Sequence, residues 1–176
     1  MCGGYGSWLP ELIAFDEDAD EIESLVDHAY CQFEECYLKR ELMFAGWKVV
    51  HKRLPLREGR NATFYHLVTW GSEDHKDRSI NSDRCRRITW PRAIIEHYQD
   101  ESIWVWEKEI KGTIRIHMYL VAERYVVVLE PRVSGDRTVM YLWTAYIVDS
   151  EHYHRKLEKS YMAFKMADAA FLSAAP

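Results

Sequence analysis

The sequence of 176 residues predicts an α+β fold in which an N-terminal helix packs on a mainly antiparallel β-sheet, with a short middle helix and a C-terminal helix. Two observations lead to this prediction. Apolar residues recur at three- and four-residue spacing over residues 20–43, and four strand-like runs follow one another between residues 103 and 148. Consecutive strands flanked by helices are typical of α+β proteins rather than of doubly wound α/β proteins.

The chain divides into three predicted segments: an irregular acidic lead over residues 1–18, a single α+β domain over residues 19–167 and a flexible tail over residues 168–176. A chain of this length can bury one core. Residues 1–46 carry two basic and eleven acidic side chains, whereas residues 47–165 carry 21 basic and 16 acidic side chains. This asymmetry indicates a nucleic-acid-binding surface on the basic part, although a solvated mixed surface explains it equally well.

The first part of the chain is predicted to form one helix and two strands. The helix over residues 20–43 ends before Gly46 and packs its apolar face on the sheet. Alternating apolar and polar residues predict a strand over residues 48–54, and an apolar run after a turn predicts a second strand over residues 62–70. The second of these strands carries His66.

Residues 71–87 are polar and are predicted to form an exposed loop, which is often a functional feature inside a compact domain. Trp90-Pro91 then opens a short helix over residues 92–98, because proline suits the first turn of a helix. Arg87 and Arg92 flank this pair and form a predicted phosphate clamp, since guanidinium groups bind phosphate through paired hydrogen bonds. Alternatively, such arginines only keep the loop soluble.

Four strands and a helix are predicted in the second half of the chain. The strands are expected at residues 103–110, 113–121, 125–129 and 139–148. Lys111-Gly112 predicts a hairpin between the first two strands, and Ser134-Gly135-Asp136 predicts the turn between the last two. A polar helix over residues 150–167 follows, opened by a cap at Asp149 or Ser150.

The last predicted strand and the helix after it carry groups that suit phosphodiester chemistry. Thr144 and Tyr146 are two residues apart and therefore lie on the same face of the strand. Arg155 and Lys156 follow on the helix and are candidates for contacts with a nucleic-acid backbone. The commoner explanations are that buried hydroxyls satisfy backbone groups and that charges on a terminal helix are solvated.

Several separated blocks, among them IWVWEKEIKGTIRIHMYLV, RYVVVLEPR and YLWTAYIVDSEHYHRKLEKSY, resemble phage- and toxin-associated nucleases of the barnase–EndoU–colicin–RelE group. The resemblance covers residues 46–164 in order. It implies a small, metal-independent endoribonuclease. The cysteine spacing, which favours reduced thiols, predicts that the protein lies in the cytoplasm of a bacterium or of a phage-infected cell. The implied partner is RNA, with transfer RNA and messenger RNA as candidates, and an immunity or inhibitor protein is a further candidate partner.

The resemblance also implies roles for individual residues. His66 falls at a motif position and is expected to act in acid–base catalysis, whereas a strand histidine considered alone is more often structural. Thr144 and Tyr146 fall in the LWTAY block and are expected to contact the scissile phosphate. From their own chemistry rather than from the resemblance, Arg87 and Arg92 are expected to stabilise charge, with Arg92 also binding the substrate. Glu107 is either a general base or the ion-pair partner of an arginine.

Other functional classes find little support in the sequence. There is no apolar run of about 18 residues that would predict a membrane-spanning helix. The four cysteines form no CxxC pair, and no HExxH, P-loop, GxGxxG or GxSxG motif occurs, so we expect neither a metal nor a cofactor. The main alternative is a non-catalytic module on the same fold that binds RNA or a host protein, which the net charge of −5 favours. An enzyme of small-molecule substrates is a third possibility.

Overall fold

A six-stranded sheet with helices on both faces forms the centre of the fold and confirms the predicted α+β class. The computed structural model describes residues 8–17, 21–71 and 78–167. The strands in chain order are β1 (Met43–Phe44), β2 (Trp47–Val50), β3 (Thr69–Trp70), β4 (Ser79–Ile80), β5 (Ile103–Ile110), β6 (Thr113–Leu120), β7 (Tyr125–Ser134) and β8 (Arg137–Ile147). Strands β3 and β4 form a separate pair, and the others form one sheet in the order β1-β2-β8-β7-β6-β5. Its neighbouring strands are antiparallel except β2 and β8, which run parallel.

The helices of the described residues are α1 (Ile22–Phe33), α2 (Ala62–Val68), α3 (Ser82–Arg86), α4 (Trp90–Glu96) and α5 (Glu151–Met166). The predicted N-terminal helix is confirmed as α1, which continues as a π-helical segment over Glu34–Leu38. Its apolar stripe is buried as predicted, through Leu25, Ala29 and Phe33. The predicted C-terminal helix is confirmed as α5, and Ser150 caps it by accepting a hydrogen bond from the backbone of Tyr153.

The strand predicted over residues 62–70 is wrong, because most of this segment is the helix α2. The helix buries one face, which is formed by Phe64, Leu67 and Val68. The β-branched and aromatic residues of this segment favour a strand, and they hid the helical spacing in the sequence. The start of the helix is tied to the preceding chain. Thr63 Oγ1 accepts a hydrogen bond from Lys52 N at 2.7 Å, and the Lys52 carbonyl accepts one from Thr63 N at 3.0 Å.

The predicted loop over residues 71–87 contains regular structure in its described part. The short strand β4 pairs with β3, and α3 follows with the side chain of Asn81 as its cap. Cys85 in α3 is fully buried, so this polar-looking segment contributes to the core. Residues 72–77 lie outside the described residues. The short middle helix is confirmed as α4, with Pro91 in its first turn.

Two hairpins build the larger part of the sheet. Lys111 and Gly112 both have positive φ, of 52° and 77°, as the tight turn between β5 and β6 requires. The second hairpin is longer than predicted, because β7 and β8 remain paired from Tyr125↔Ile147 to Ser134↔Arg137. A bulge interrupts this pairing, since Val128 pairs with Thr144 and Leu129 with Leu142, which leaves Trp143 as the extra residue.

The two faces of the sheet carry two separate cores. One face packs against α1–α4 through Val127, Leu129, Met140 and other buried side chains. The opposite face packs against α5 through an aromatic cluster that includes Trp106, Tyr119, Val126, Val128 and Leu157. The alternation of strand residues places Glu130 on this second face, two residues beyond Val128.

The described part of the acidic lead, residues 8–17, contains no helix or strand and is attached to the domain. Ile13 N donates to the carbonyl of Arg86 at 3.0 Å, and Arg86 Nε donates back to the carbonyl of Ile13 at 3.0 Å. Trp90 Nε1 donates to the carbonyl of Pro10 at 2.9 Å. The predicted tail over residues 168–176 lies outside the described residues. Across the ranges that are described, no helix is long and apolar enough to cross a membrane.

Candidate functional site

A cleft of about 720 Å³ opens between α2 and the part of the sheet face next to the α5 cluster. Its size is in the range of small-molecule and nucleotide sites. Six of the residues that line it are cationic: Lys52, Arg57, Arg78, Lys111, Arg115 and Arg132. The other polar and aromatic lining residues are Thr63, Tyr65, His66, Tyr141 and Trp143. None of the described lining residues is acidic.

The cations reach the cleft from separate parts of the chain. Lys52 and Arg57 lie in the connection between β2 and α2, and Lys111 lies in the turn between β5 and β6. Arg115 and Arg132 project from β6 and β7. Because like charges repel, the fold must hold these side chains together by other contacts, and the resulting field favours an anionic ligand.

The contact that holds two of the sheet arginines is a buried carboxylate. Glu130 Oε2 accepts from Arg115 Nε at 3.1 Å, and Glu130 Oε1 accepts from Arg132 Nε at 2.6 Å. Aromatic rings support both guanidinium groups, since Arg115 lies 4.3 Å from the ring centre of Trp143 and Arg132 lies 5.0 Å from that of Tyr141. Glu130 therefore organises one wall of the cleft.

His66, the predicted acid–base residue, lies in the cleft on α2. Its half-buried ring meets Trp143 edge-on, with 6.1 Å between the ring centres. Arg78 fixes the end of this helix by donating to the carbonyls of His66 at 3.4 Å and Thr69 at 2.8 Å. A cation at this position also stabilises the helix dipole. Burial, and then the nearby Arg84, lower the pKa of the Arg78 guanidinium.

Thr144 and Tyr146 share a face of β8 as predicted, and neither lines the cleft. They pair with Val128 and Val126, so they belong to the end of the sheet face that α5 covers. The Tyr146 hydroxyl lies 3.1 Å from the hydroxyl of Tyr153 on α5. Burial raises the pKa of Tyr146, which keeps this phenol neutral.

Arg87 and Arg92 occupy structural positions outside the cleft. Arg87 donates to the carbonyl and the carboxylate of Asp83, both at 3.0 Å, and stacks over Trp90. Arg92 is buried, donates to the carbonyls of Cys36, Arg40 and Glu41, and pairs with Glu96. Its guanidinium satisfies carbonyl groups at and after the end of the first helix, and neither arginine of the predicted phosphate clamp lines the cleft.

The remaining predicted residues also lie away from the cleft lining. Glu107 lies on β5 opposite Ile116, and its Oε1 has no hydrogen-bond partner among the described residues. Burial raises the pKa of this carboxyl group. Arg155 and Lys156 are exposed on α5, where Arg155 lies 3.6 Å from Glu151. These two cations therefore belong to a solvated helix surface.

Sequence reasoning missed Glu130 and Arg132 because it ended β7 too early. Glu130 and Arg132 follow the apolar run directly and are two residues apart, which is the spacing of one strand face. Tyr141 and Trp143, whose rings contact the Arg132 guanidinium, lie just before the predicted Thr144 in the sequence. Extending the alternation of both strands toward their turn would have indicated this cluster.

A second, smaller pocket of about 180 Å³ is lined by Trp70, Asn81, Asp83, Arg84, Ile147 and Asp149. It is smaller than ordinary ligand pockets, and its two carboxylates offset its one guanidinium. Arg84 also donates to the carbonyl of Thr69 at 2.8 Å, which gives it a structural role. Across residues 8–17, 21–71 and 78–167, no group of three or more His, Cys, Asp and Glu side chains could hold a metal ion.

Comparisons with models of protein families, with curated proteins and with solved structures find no match for this chain. The resemblance to nucleases of the barnase–EndoU–colicin–RelE group therefore stays a prediction from the sequence.

Proposed function

We propose that the protein is an endoribonuclease that cleaves RNA phosphodiester bonds in the cleft, with His66 as an acid–base group. One observation carries this proposal: six cationic side chains, an imidazole and three phenol or indole rings line one cleft, without a carboxylate among its described lining residues. Such a surface attracts a polyanion. Single-stranded RNA suits it well, because exposed bases can stack on aromatic side chains while cations contact the phosphates.

The chemistry needs three kinds of group. A base removes the proton of the 2′-hydroxyl, an acid protonates the leaving 5′-oxygen, and cations stabilise the charged transition state. Imidazole is suited to proton transfer because its ordinary pKa is close to neutrality. In the proposal His66 accepts the proton of the 2′-hydroxyl, a solvent water supplies the proton of the leaving 5′-oxygen, and Arg115 and Arg132 are the principal stabilising cations. We propose that these side chains act without a metal ion.

The alternative function is a non-catalytic module that binds RNA through the same cleft. One observation favours it: among the described lining residues, His66 supplies the single imidazole, whereas cleavage needs both an acid and a base. In a binding module the arginines and aromatic rings would determine affinity, and loss of the imidazole would have little effect.

The experiment that separates these functions is incubation of the purified protein with total bacterial RNA, with and without EDTA. We expect fragments that persist in EDTA, and we expect His66→Ala to lower the rate by roughly a hundredfold or more. His152→Ala is the matched control, because His152 is exposed on α5 outside the cleft. Circular dichroism would verify that both variants are folded.

RNA that stays intact with the wild-type protein, although it binds, would replace the nuclease proposal with the binding module. Equal cleavage by the wild-type protein and by His66→Ala would remove His66 from the mechanism. Fragments that disappear in EDTA would contradict the metal-independent reaction.

A further inference from the structure

Arg115 and Arg132, the two arginines that contact Glu130 at the cleft, have N–H donors that this carboxylate does not use. Arg115 and Arg132 both use their Nε atoms to contact Glu130. A guanidinium group has five N–H donors, four of them on its two Nη atoms. Among the described residues, no hydrogen bond involves an Nη atom of either arginine. The outer edges of both groups are therefore available to a ligand.

Both guanidinium groups are also held in fixed planes. The side chain of Glu130 is 5% exposed, so the carboxylate at the centre of the pair is almost fully buried. Trp143 lies under Arg115 at 4.3 Å, and Tyr141 lies under Arg132 at 5.0 Å. A planar donor fork that is fixed in this way matches the geometry of phosphate oxygens.

We propose that Arg115 and Arg132 form the phosphate-binding subsite of the cleft, and that Glu130 is the positioning residue that holds them in place. This inference rests on the proposed function, because it names the contacts of the same cleft with an RNA phosphate. The ligand class is the tetrahedral oxyanion of a phosphate group. Glu130 itself does not touch the ligand and acts through the two arginines.

If Glu130 positions the two arginines, its substitution changes the affinity for an anion in the direction opposite to that expected from the change in charge. Glu130→Gln removes one negative charge beside the subsite, so the change in charge alone would strengthen the binding of an anion. Loss of the ionic contacts frees Arg115 and Arg132 from their fixed arrangement, which weakens binding. Weaker binding after the loss of a nearby negative charge is therefore evidence of positioning.

The test is calorimetric titration of the full chain with inorganic pyrophosphate, without RNA. We expect Glu130→Gln to bind pyrophosphate about tenfold more weakly than the wild-type protein, and we expect a similar loss for Arg132→Lys, which keeps the charge and removes the planar fork. Arg137→Lys is the matched control, because Arg137 is an exposed arginine on the same hairpin that does not line the cleft. It should bind like the wild-type protein.

Several results would overturn the inference. Unchanged or tighter binding by Glu130→Gln would remove the positioning role, and unchanged binding by Arg132→Lys would remove the subsite. Absence of pyrophosphate binding by the wild-type protein would do the same. If Glu130→Gln fails to fold, Arg132→Lys still tests whether the two arginines form a phosphate-binding subsite. The Arg132 side chain is 48% exposed and therefore tolerates substitution.

RNA cleavage by the same proteins separates this inference from the proposed function. Pyrophosphate binding that Arg132→Lys weakens, together with RNA that the wild-type protein leaves intact, would support the subsite and contradict the nuclease. RNA cleavage and pyrophosphate binding that are both unaffected by Arg132→Lys would contradict the subsite and the stabilising role of the Arg132 guanidinium, but would leave a nuclease in place.

Discussion

Arginine residues serve two purposes in this protein, and their hydrogen-bond partners distinguish them. Arg92 is buried and directs its guanidinium to backbone carbonyls, which would otherwise lack donors near the end of the first helix. Arg115 and Arg132 instead share a carboxylate and face the cleft. Composition does not separate these uses, because the same guanidinium group serves both, and only the contacts that it makes in the fold distinguish them.

His117 illustrates how burial controls a titratable residue beside the cleft. It lies on β6, two residues from Arg115, and stacks on Trp106 with 5.1 Å between the ring centres. Its side chain is buried, and its Nδ1 has no hydrogen-bond partner among the described residues. Burial lowers the pKa of His117 from its ordinary value of 6.5 to about 4. The folded protein therefore keeps this imidazole neutral at neutral pH.

This shift predicts a loss of stability in acid. Between pH 6.5 and about 4 the unfolded chain binds a proton at His117 that the folded chain does not. The neutral His117 therefore contributes its full share to the free energy of unfolding above pH 6.5. As the pH falls from 6.5 to about 4, the free energy of unfolding decreases by up to about 3 kcal/mol. Urea unfolding at pH 7 and pH 4 would measure it. His117→Phe should lose correspondingly less stability over this range, and an equal loss in both proteins would contradict the assignment.

At the scale of the secondary-structure elements, the regular hairpins were predictable and the helix α2 was not. Apolar and polar residues alternate along most of β6, and Lys111-Gly112 supplies the turn residues that join it to β5. Residues 62–68 contain β-branched and aromatic side chains that favour a strand locally, and tertiary packing of Phe64 and Leu67 overrides this preference.

The candidate site is assembled by α2 and by the strands β6 and β7. His66 was predicted from its motif position, and the helix α2 brings it to the cleft. The cationic wall was not predicted, because Arg115 and Arg132 come together only through the pairing of β6 with β7. The contact of Glu130 with Arg132, two residues apart, could have been inferred from the strand alternation. The convergence of Lys52, Arg57 and Lys111 on the same cleft could not, because these residues come from other parts of the chain.

The attachment of α2 gives a prediction about stability. Thr63→Val removes the hydroxyl that accepts from Lys52 N at 2.7 Å and leaves that N–H without its partner. We expect a loss of about 1–2 kcal/mol in the free energy of unfolding. Thr89→Val is the matched control, because the buried Thr89 Oγ1 has no hydrogen-bond partner among the described residues. Denaturant unfolding of both variants provides the measurement, and equal losses would contradict the role of the Thr63 hydrogen bond.

At the scale of the whole molecule, the net charge of −5 conceals a local excess of positive charge. Residues 1–46 carry eleven acidic and only two basic side chains, and no residue of the described lead or of α1 lines the cleft. The cations converge there from the part of the chain that is basic in the sequence. Net charge is therefore a poor guide to the ligand of this protein, because the field inside a cleft depends on the charges that line it.

The most direct test of RNA cleavage in this cleft compares one labelled oligoribonucleotide with the DNA of the same sequence. Attack by the 2′-hydroxyl predicts that the wild-type protein cuts the RNA, leaves products with a 2′,3′-cyclic phosphate, and leaves the DNA intact. His66→Ala should leave both intact. Cleavage of the DNA would contradict a mechanism through the 2′-hydroxyl, and intact RNA under conditions in which it is bound would show that the cleft binds RNA without cleaving it.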